Sequence, residues 1–359
     1  MTATTHPTTV DTHRAEAFAE RLLGAINDAA LVLMTSIGHR TGLFDVLATL
    51  EPSSPDEIAA AAGLDERYVR EWLGALTVGG VIEHDPAART YHLPPEHAAF
   101  LTRAAGPDNM ATFTQYAAVL GSVEDPIVRC FREGGGVPYS AFTRFHEVMA
   151  EESGQGVVDV LEERFLPLVP GLRERLEAGI DVLDVGCGRG RAMAKLARLF
   201  PNSRFTGYDV SEEAIATGRQ EAGDLPNLRL ATADVAALEE RAAFDLVTAF
   251  DAIHDQADPA RVLANVAQAL RPDGTFFMVD IQASSHLHEN LDHPIGTFLY
   301  TISTLHCMTV SLAQGGAGLG TCWGQQQAQK MLAEAGFTSV DVRQIPNDIQ
   351  NVIYLARRA

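Results

Sequence analysis

The decapeptide Asp181–Gly190, DVLDVGCGRG, constrains this chain more than any other stretch. Val182, Leu183 and Val185 surround Asp184, and Gly186, Gly188 and Gly190 follow in G-x-G-x-G spacing. A short apolar run ending in glycines reads as a buried strand entering a tight turn, with a helix starting near Arg191. Glycine lets the backbone turn sharply and lets a ligand approach it closely. The free N–H groups of the helix start lie just beyond the turn. The expected consequence is a nucleotide-type site at the carboxyl end of a strand.

The surrounding chain supports an α/β domain. Apolar strands at Asp181–Val185, Arg204–Val210, Leu228–Ala233, Phe244–Phe250 and Thr275–Ile281 alternate with helical patterns at Arg191–Phe200, Glu212–Glu221, Ala236–Arg241 and Asp258–Leu270. That alternation builds a doubly wound, largely parallel sheet. Asp258 as N-cap and Pro259 in the first turn start the last of these helices. The rhythm then breaks over Gln282–Cys322, a stretch expected to act as a lid. A helix at Trp323–Ala335 follows. Ser339–Ile345 and Val352–Ala356 form a closing hairpin, which puts one antiparallel strand into the sheet.

At 359 residues the chain has room for a second domain in front of this one. Residues 1–15 read as a tail. Glu16–His39 reads as a long helix whose apolar residues cover more than one side, the pattern of a helix that also packs on a second subunit. Short helices around Leu43–Leu47, Pro55–Gly63 and Asp65–Leu76 precede a hairpin, Val81–Glu83 with Thr90–Leu93. Ser54 and Asp65 are the expected N-caps. Helix, turn, helix and hairpin make a winged-helix arrangement over residues 16–101. Residues 102–178 read as helical segments at Asp108–Leu120, Tyr139–Ala150 and Val157–Leu168 that bridge to the sheet domain of residues 179–359.

Charge bears on partners. The chain carries a formal net charge of −20. The candidate recognition helix has Arg67 and Arg70 but also Asp65, Glu66 and Glu71, and the wing offers Arg89 against two acids. Phosphate recognition needs a basic stripe, so a nucleic-acid partner is disfavoured and a scaffold or dimerisation module is the expectation. No unbroken apolar run reaches the roughly 18–20 residues of a membrane span, and the N-terminus lacks signal-peptide patterning. Cys130, Cys187, Cys307 and Cys322 are scattered, which suits free thiols in a cytoplasmic, reducing setting.

The glycine loop departs from the dinucleotide fingerprint G-x-G-x-x-G/A. Counted from Gly186 and Gly188, the third position is Arg191, too bulky for close helix–strand packing. Asp209 ends the second strand, where a carboxylate is placed to accept from both ribose hydroxyls. Asp234 follows the third strand and is placed for an adenine edge, with the Val235 backbone N–H as a donor. Taken singly, each acid also reads as a helix N-cap.

In the order DVGCGRG, YDVS, ATADV and FDLVTAFDAIHD, the chain resembles class I S-adenosylmethionine-dependent methyltransferases. With the winged helix in front, it resembles the plant-type small-molecule O-methyltransferases. The resemblance implies a Rossmann-like seven-stranded sheet, S-adenosylmethionine bound across the glycine loop, and a homodimer formed through the N-terminal domain. It places Asp184, Gly186, Cys187, Gly188, Asp209, Val210, Asp234, Val235, Phe250 and Asp251 around the cofactor. It also aligns His254-Asp255 with the family's general base, although Gln256 stands where the family has tryptophan. A histidine titrating near pH ~6.5 suits removal of a proton from a phenol, enol or amine. The acceptor is expected to be a small aromatic or apolar molecule, with Tyr300, His306, Met308 and Trp323 as candidate contacts. His286, His288 and His293 lack a completing ligand, so no metal is expected. Three other readings stand beside this one: a winged-helix transcription regulator, a nicotinamide-dependent dehydrogenase, and an S-adenosylmethionine sensor without turnover.

Overall fold

A computed structural model describes residues 10–346 and 348–358. Residues 1–9 of the expected tail lie outside the described residues. The chain divides into two compact units, with the division between Ala118 and Val119. It therefore falls inside the segment read as a bridge, and within a single helix.

The first unit opens with α1 (Thr12–Thr41). It starts earlier than Glu16 because Asp11 caps it, accepting from Arg14 N at 3.1 Å. α2 (Leu43–Leu47), α3 (Pro55–Ala62) and α4 (Glu66–Val78) follow. Ser54 and Glu57 close a reciprocal capping box at α3, and Asp65 accepts from Arg67 N at α4. The wing is β1 (Glu83–Asp85) paired antiparallel with β2 (Thr90–His92), then α5 (Pro95–Leu101). Asp85 turns the hairpin by accepting from Ala87 N and Ala88 N. Trp72 anchors the core, edge-on to Phe44 with ring centroids 5.3 Å apart and its indole N–H donated to Met34 O at 2.8 Å.

α1 corrects one expectation. By length and composition it is apolar enough to cross a membrane, with a window of mean hydropathy 1.3. Counting unbroken apolar runs misses it because Asn27 and Asp28 interrupt the run without cancelling the mean. Its last turns, at Thr35, Ser36, Gly38 and His39, are buried within the unit. Phe18, Leu22, Leu23 and Ile26 are exposed.

α6 (Ala111–Gly121) spans the division. The second unit continues with α7 (Glu124–Glu133) and α8 (Phe145–Ser153). The helix expected from Tyr139 begins only at Phe145, because Tyr139–Ala141 is a 3₁₀ turn and Arg144 sits at φ 67°. The helix expected at Val157–Leu168 is instead two π turns, Gly154–Val158 and Leu161–Phe165, and a 3₁₀ turn at Leu166–Leu168. α9 (Leu172–Ala178) leads into the sheet.

The sheet has seven strands in the order β5-β4-β3-β6-β7-β9-β8. They are β3 (Asp181–Val185), β4 (Arg204–Asp209), β5 (Leu228–Thr232), β6 (Phe244–Phe250), β7 (Leu270–Ile281), β8 (Ser339–Gln344) and β9 (Asn351–Arg357). β3 to β7 run parallel, and β9 is antiparallel to both neighbours. This is the α/β architecture with a closing hairpin that the sequence predicts. Successive residues of β3 serve opposite faces: Val182 joins the core with Phe205 and Phe277, while Leu183 joins the one with Val247 and Met278. Burial on both faces explains why the strands read as continuous apolar runs. α10 (Arg191–Leu199), α11 (Glu212–Ala222) and α12 (Pro259–Ala269) are the crossovers, the last capped by Asp258. The helix expected at Ala236–Arg241 shrinks to one 3₁₀ turn, Val235–Ala237.

The stretch 282–322 is built from short helices: a 3₁₀ turn at Leu287–Asn290, α13 (Gly296–Ile302), a π turn at Ser303–Cys307, and α14 (Met308–Ala313). A 3₁₀ turn at Thr321–Trp323 then enters α15 (Gly324–Glu334).

Candidate active site

The glycine turn leaves β3 with Gly186, Gly188 and Gly190 at φ 71°, 54° and 67°. Gly186 N and Cys187 N both donate to Tyr208 O, which pins the turn to β4. A Cβ on Gly186 would lie 2.5 Å from Ala252 Cβ, so the turn sits directly against the loop that leaves β6. At Gly188 there is open space instead.

Asp209 lies at the end of β4 and braces the turn. Its Oδ2 accepts from Gly188 N at 2.8 Å and its Oδ1 from Ser211 N at 2.8 Å. Val210 beside it is exposed. Asp234 is exposed and caps the following 3₁₀ turn through Ala236 N at 2.8 Å. Val235 is buried, and its carbonyl accepts from Asn265 Nδ2.

Two residues placed around the cofactor by resemblance face elsewhere. Asp184 is buried inside the sheet, accepting from Thr248 Oγ1 at 2.7 Å. The Cys187 thiol packs over Gly207, where an added Cβ would lie 2.8 Å from its Sγ, and the Cys187 N–H and carbonyl are taken up by Tyr208 O and Gly190 N. Burial pushes the Asp184 carboxyl up to about 7, aided by the charge of Asp209 and opposed by the Thr248 hydroxyl. A folded-state value above the unfolded ~3.9 stabilises the fold below pH ~4, and that stabilisation is lost as pH rises toward 7. The loss is on the order of 4 kcal/mol at 1.36 kcal/mol per unit. Asp184→Asn keeps the acceptor for Thr248 without the charge. Its melting temperature is expected to fall less than the wild type's between pH 5 and pH 8, and parallel thermal melts at the two pH values check this.

β6 ends at Phe250, whose ring packs against Phe165 and Phe277 at 6.2 Å from each. Asp251 then takes a left-handed φ of 49° and returns its N–H to Val279 O. Its Oδ1 is buried with no hydrogen-bond partner. Burial, then the nearby Asp280, holds the Asp251 carboxyl well above the usual carboxylate range.

His254 lies in this loop, buried, with Nδ1 2.8 Å from Asp280 Oδ1 on β7 and Nε2 3.7 Å from Asp255 Oδ1. Burial alone would lower its pKa. The carboxylates of Asp280 and Asp255 outweigh that and hold the imidazole well above its ordinary value. Asp280 Oδ1 also accepts from Trp323 Nε1 at 3.0 Å and from Ile281 N. Trp323 is thus a buried support for the carboxylate rather than an open acceptor contact. Asp280 escaped the sequence reading, although a lone acid in the apolar run FFMVDI needs a buried partner.

The other candidate contacts separate. His306 is buried in an aromatic box, stacked on Phe145 at 3.5 Å between centroids and edge-on to Phe142 and Tyr139 at 4.8 and 5.0 Å. Both of its ring nitrogens lack hydrogen-bond partners, and burial holds it neutral, well below its usual pKa. Met308 is half-buried beside Gly320. Tyr300 borders a separate groove of about 550 Å³ with Leu287, Leu291 and Thr297, and its hydroxyl accepts from Asn290 Nδ2. The lid histidines do not converge: His286 and His288 stack on each other, while both nitrogens of His293 are taken by the backbone at Gln282 and Ile295.

Comparison with known proteins bears on the two domains. Residues 29–103 match the Rv2258c-like winged HTH domain, and residues 176–336 match a methyltransferase domain. The ubiquinone biosynthesis O-methyltransferase of Aromatoleum aromaticum is 35% identical over 107 residues, 29% of this chain and 45% of that protein. An O-methyltransferase of Penicillium expansum is 26% identical over 204 residues, 56% of this chain and 67% of that protein. The chain spans about half the length of the first curated relatives it matches. The fold resembles that of human N-acetylserotonin methyltransferase in complex with SAM, at a TM-score of 0.69 and 17% identity, over 99% of this chain and all of that one. The chain thus carries a winged helix-turn-helix domain followed by a seven-stranded methyltransferase domain.

Proposed function

We propose that this protein is an S-adenosylmethionine-dependent methyltransferase acting on a small, aromatic or apolar acceptor, with His254 as its general base. One observation carries the reading: Gly186 seats the glycine turn against Ala252, two residues before His254, so cofactor cradle and base share the carboxyl end of the adjacent central strands β3 and β6. The residues fit the cofactor. Open space at Gly188 admits a ligand to the backbone, and the buried, unpartnered Asp251 Oδ1 suits an ammonium group. Gly186, Gly188, Asp209, Val210, Asp234, Val235 and the Phe250–Asp251 backbone would hold it. When bound, the cofactor supplies an electrophilic methyl on a sulfonium that leaves as a neutral thioether. His254 Nε2 takes the acceptor's proton, and Asp280 on Nδ1 fixes the ring and stabilises the imidazolium. The buried aromatics around His306 exclude water. Calorimetry tests the cofactor assignment: one S-adenosylmethionine per chain is expected, and preference for a nicotinamide dinucleotide would overturn it.

Asp280 is a positioning residue with a distinct signature. A base must be neutral to act, so a raised pKa places the acid limb of kcat/KM above pH ~6.5. Asp280→Asn removes the main charge that raises it, and burial then dominates. The limb is expected to move to lower pH while kcat falls. A pH–rate profile separates this from a purely structural role, which would lower the rate without moving the limb.

The rival regulator reading is weakened by the recognition helix itself. Arg67 pairs with Glu71 at 2.6 Å and Arg70 with Glu66 at 2.5 Å, so these cations are neutralised within the helix. The exposed Phe18, Leu22, Leu23 and Ile26 on α1 support a homodimer through the N-terminal unit. Light scattering is expected to read twice the chain mass, and Leu22→Glu with Ile26→Glu to halve it. The described cysteines, all free, suit a cytoplasmic setting.

A further inference from the structure

Proton removal by His254 does not draw on the ligating atoms of two of its neighbours, Asp255 and Cys307. Asp255 Oδ1 is buried, lacks any hydrogen-bond partner, and lies 3.7 Å from His254 Nε2. Cys307, buried in the Ser303–Cys307 π turn, meets the same imidazole from the other side of the sequence. One ligand atom from each of His254, Asp255 and Cys307 lies within 4.8 Å of the other two. Tetrahedral Zn²⁺, with bonds of about 2.0–2.3 Å, sets its ligand atoms roughly 3.3–3.8 Å apart. Small side-chain movements bridge that difference.

The donor chemistry is also coherent. Imidazole, carboxylate and thiolate together select a thiophilic divalent ion over Mg²⁺ or Ca²⁺. Three protein ligands with a fourth position open is a recurrent zinc arrangement. The ligating histidine would already have its second nitrogen on a carboxylate, Asp280 at 2.8 Å, the outer-shell contact that orients metal-bound imidazoles.

We propose that His254, Asp255 and Cys307 form a binding site for a thiophilic divalent cation, with Zn²⁺ as the representative ion. Binding displaces the thiol proton of Cys307, and any proton on His254 Nε2, to solvent. The ion occupies the Nε2 lone pair, so on the reading of His254 as base the metal-loaded protein is inhibited. The binding claim itself does not depend on that reading.

The test uses the full-length, metal-free protein. Zn²⁺ is titrated in competition with a chromophoric chelator, and Co²⁺ is titrated by absorption. One ion per chain is expected, and Co²⁺ should give a thiolate charge-transfer band in the near ultraviolet. Cys307→Ser should abolish the band and weaken Zn²⁺ at least tenfold, and Asp255→Asn should weaken Zn²⁺ at least tenfold while keeping a thiolate band. Cys322→Ser, the control, should change neither. Circular dichroism confirms that each variant is folded, and Asp255→Asn stands as the deciding variant if Cys307→Ser does not fold. No uptake of either ion, or a cobalt band that survives Cys307→Ser, would overturn the site. Stoichiometric Zn²⁺ binding at this site with methyl transfer undiminished would support the site and instead overturn His254 as base.

Discussion

Replacing His254 by alanine is expected to lower kcat on an identified acceptor by about 10²–10⁴-fold, the range that a positioned acid–base group contributes. The expectation rests on geometry. His254 is buried, its Nδ1 is committed to Asp280 at 2.8 Å, and that carboxylate is held in turn by Trp323 and the Ile281 backbone. An imidazole fixed through one nitrogen directs the other, which is what proton transfer requires. Calorimetric affinity for S-adenosylmethionine should be unchanged, because the cradle is built from other residues. Steady-state kinetics decides the matter: turnover within about threefold of wild type would remove His254 from the chemistry.

The second large effect is expected at Gly186. Alanine there meets two obstacles. The φ of 71° is left-handed, and the new Cβ would lie 2.5 Å from Ala252 Cβ. A forced left-handed residue costs roughly 1–3 kcal/mol, and overpacking costs a similar amount. The strain must push apart the glycine turn and the loop leading to His254. Gly186→Ala is therefore expected to weaken S-adenosylmethionine binding by about 10²-fold or more and to lower the melting temperature. Gly188→Ala carries the backbone strain without the contact, since nothing lies within 4 Å of its added Cβ. Its loss of melting temperature without cofactor should be smaller, and thermal melts of the two unliganded variants isolate the contact with Ala252.

Local patterns carried much of this structure. Strand–glycine–helix at 181–191, the capping residues Ser54, Asp65 and Asp258, and the parallel strands all depend on neighbours a few residues away, so the sequence displays them directly. The closing hairpin was legible for the same reason. What remained hidden depends on distant encounters. Asp280 reaches His254 across 26 positions, and Trp323 reaches Asp280 across 43. No spacing rule joins such residues, because the sheet brings them together. Asp184 misled for a different reason. A carboxylate beside a glycine turn looks available to a ligand, but a central parallel strand is buried on both faces, and its acid turned to Thr248. The stretch 282–322 resisted reading because its α-helices, Gly296–Ile302 and Met308–Ala313, are too short to show a helical period and are joined by a π turn.

The central claim, methyl transfer from S-adenosylmethionine to a small acceptor, is tested most directly by isotope transfer. The full-length protein is incubated with S-adenosylmethionine labelled in its methyl group and a panel of small phenols, enols and amines, and products are read by mass spectrometry. The expected result is a labelled acceptor heavier by one methylene unit, formed by wild type and lost in His254→Ala. Tight cofactor binding with no labelled product from the panel or from a metabolite extract would contradict the account and leave a sensor in its place.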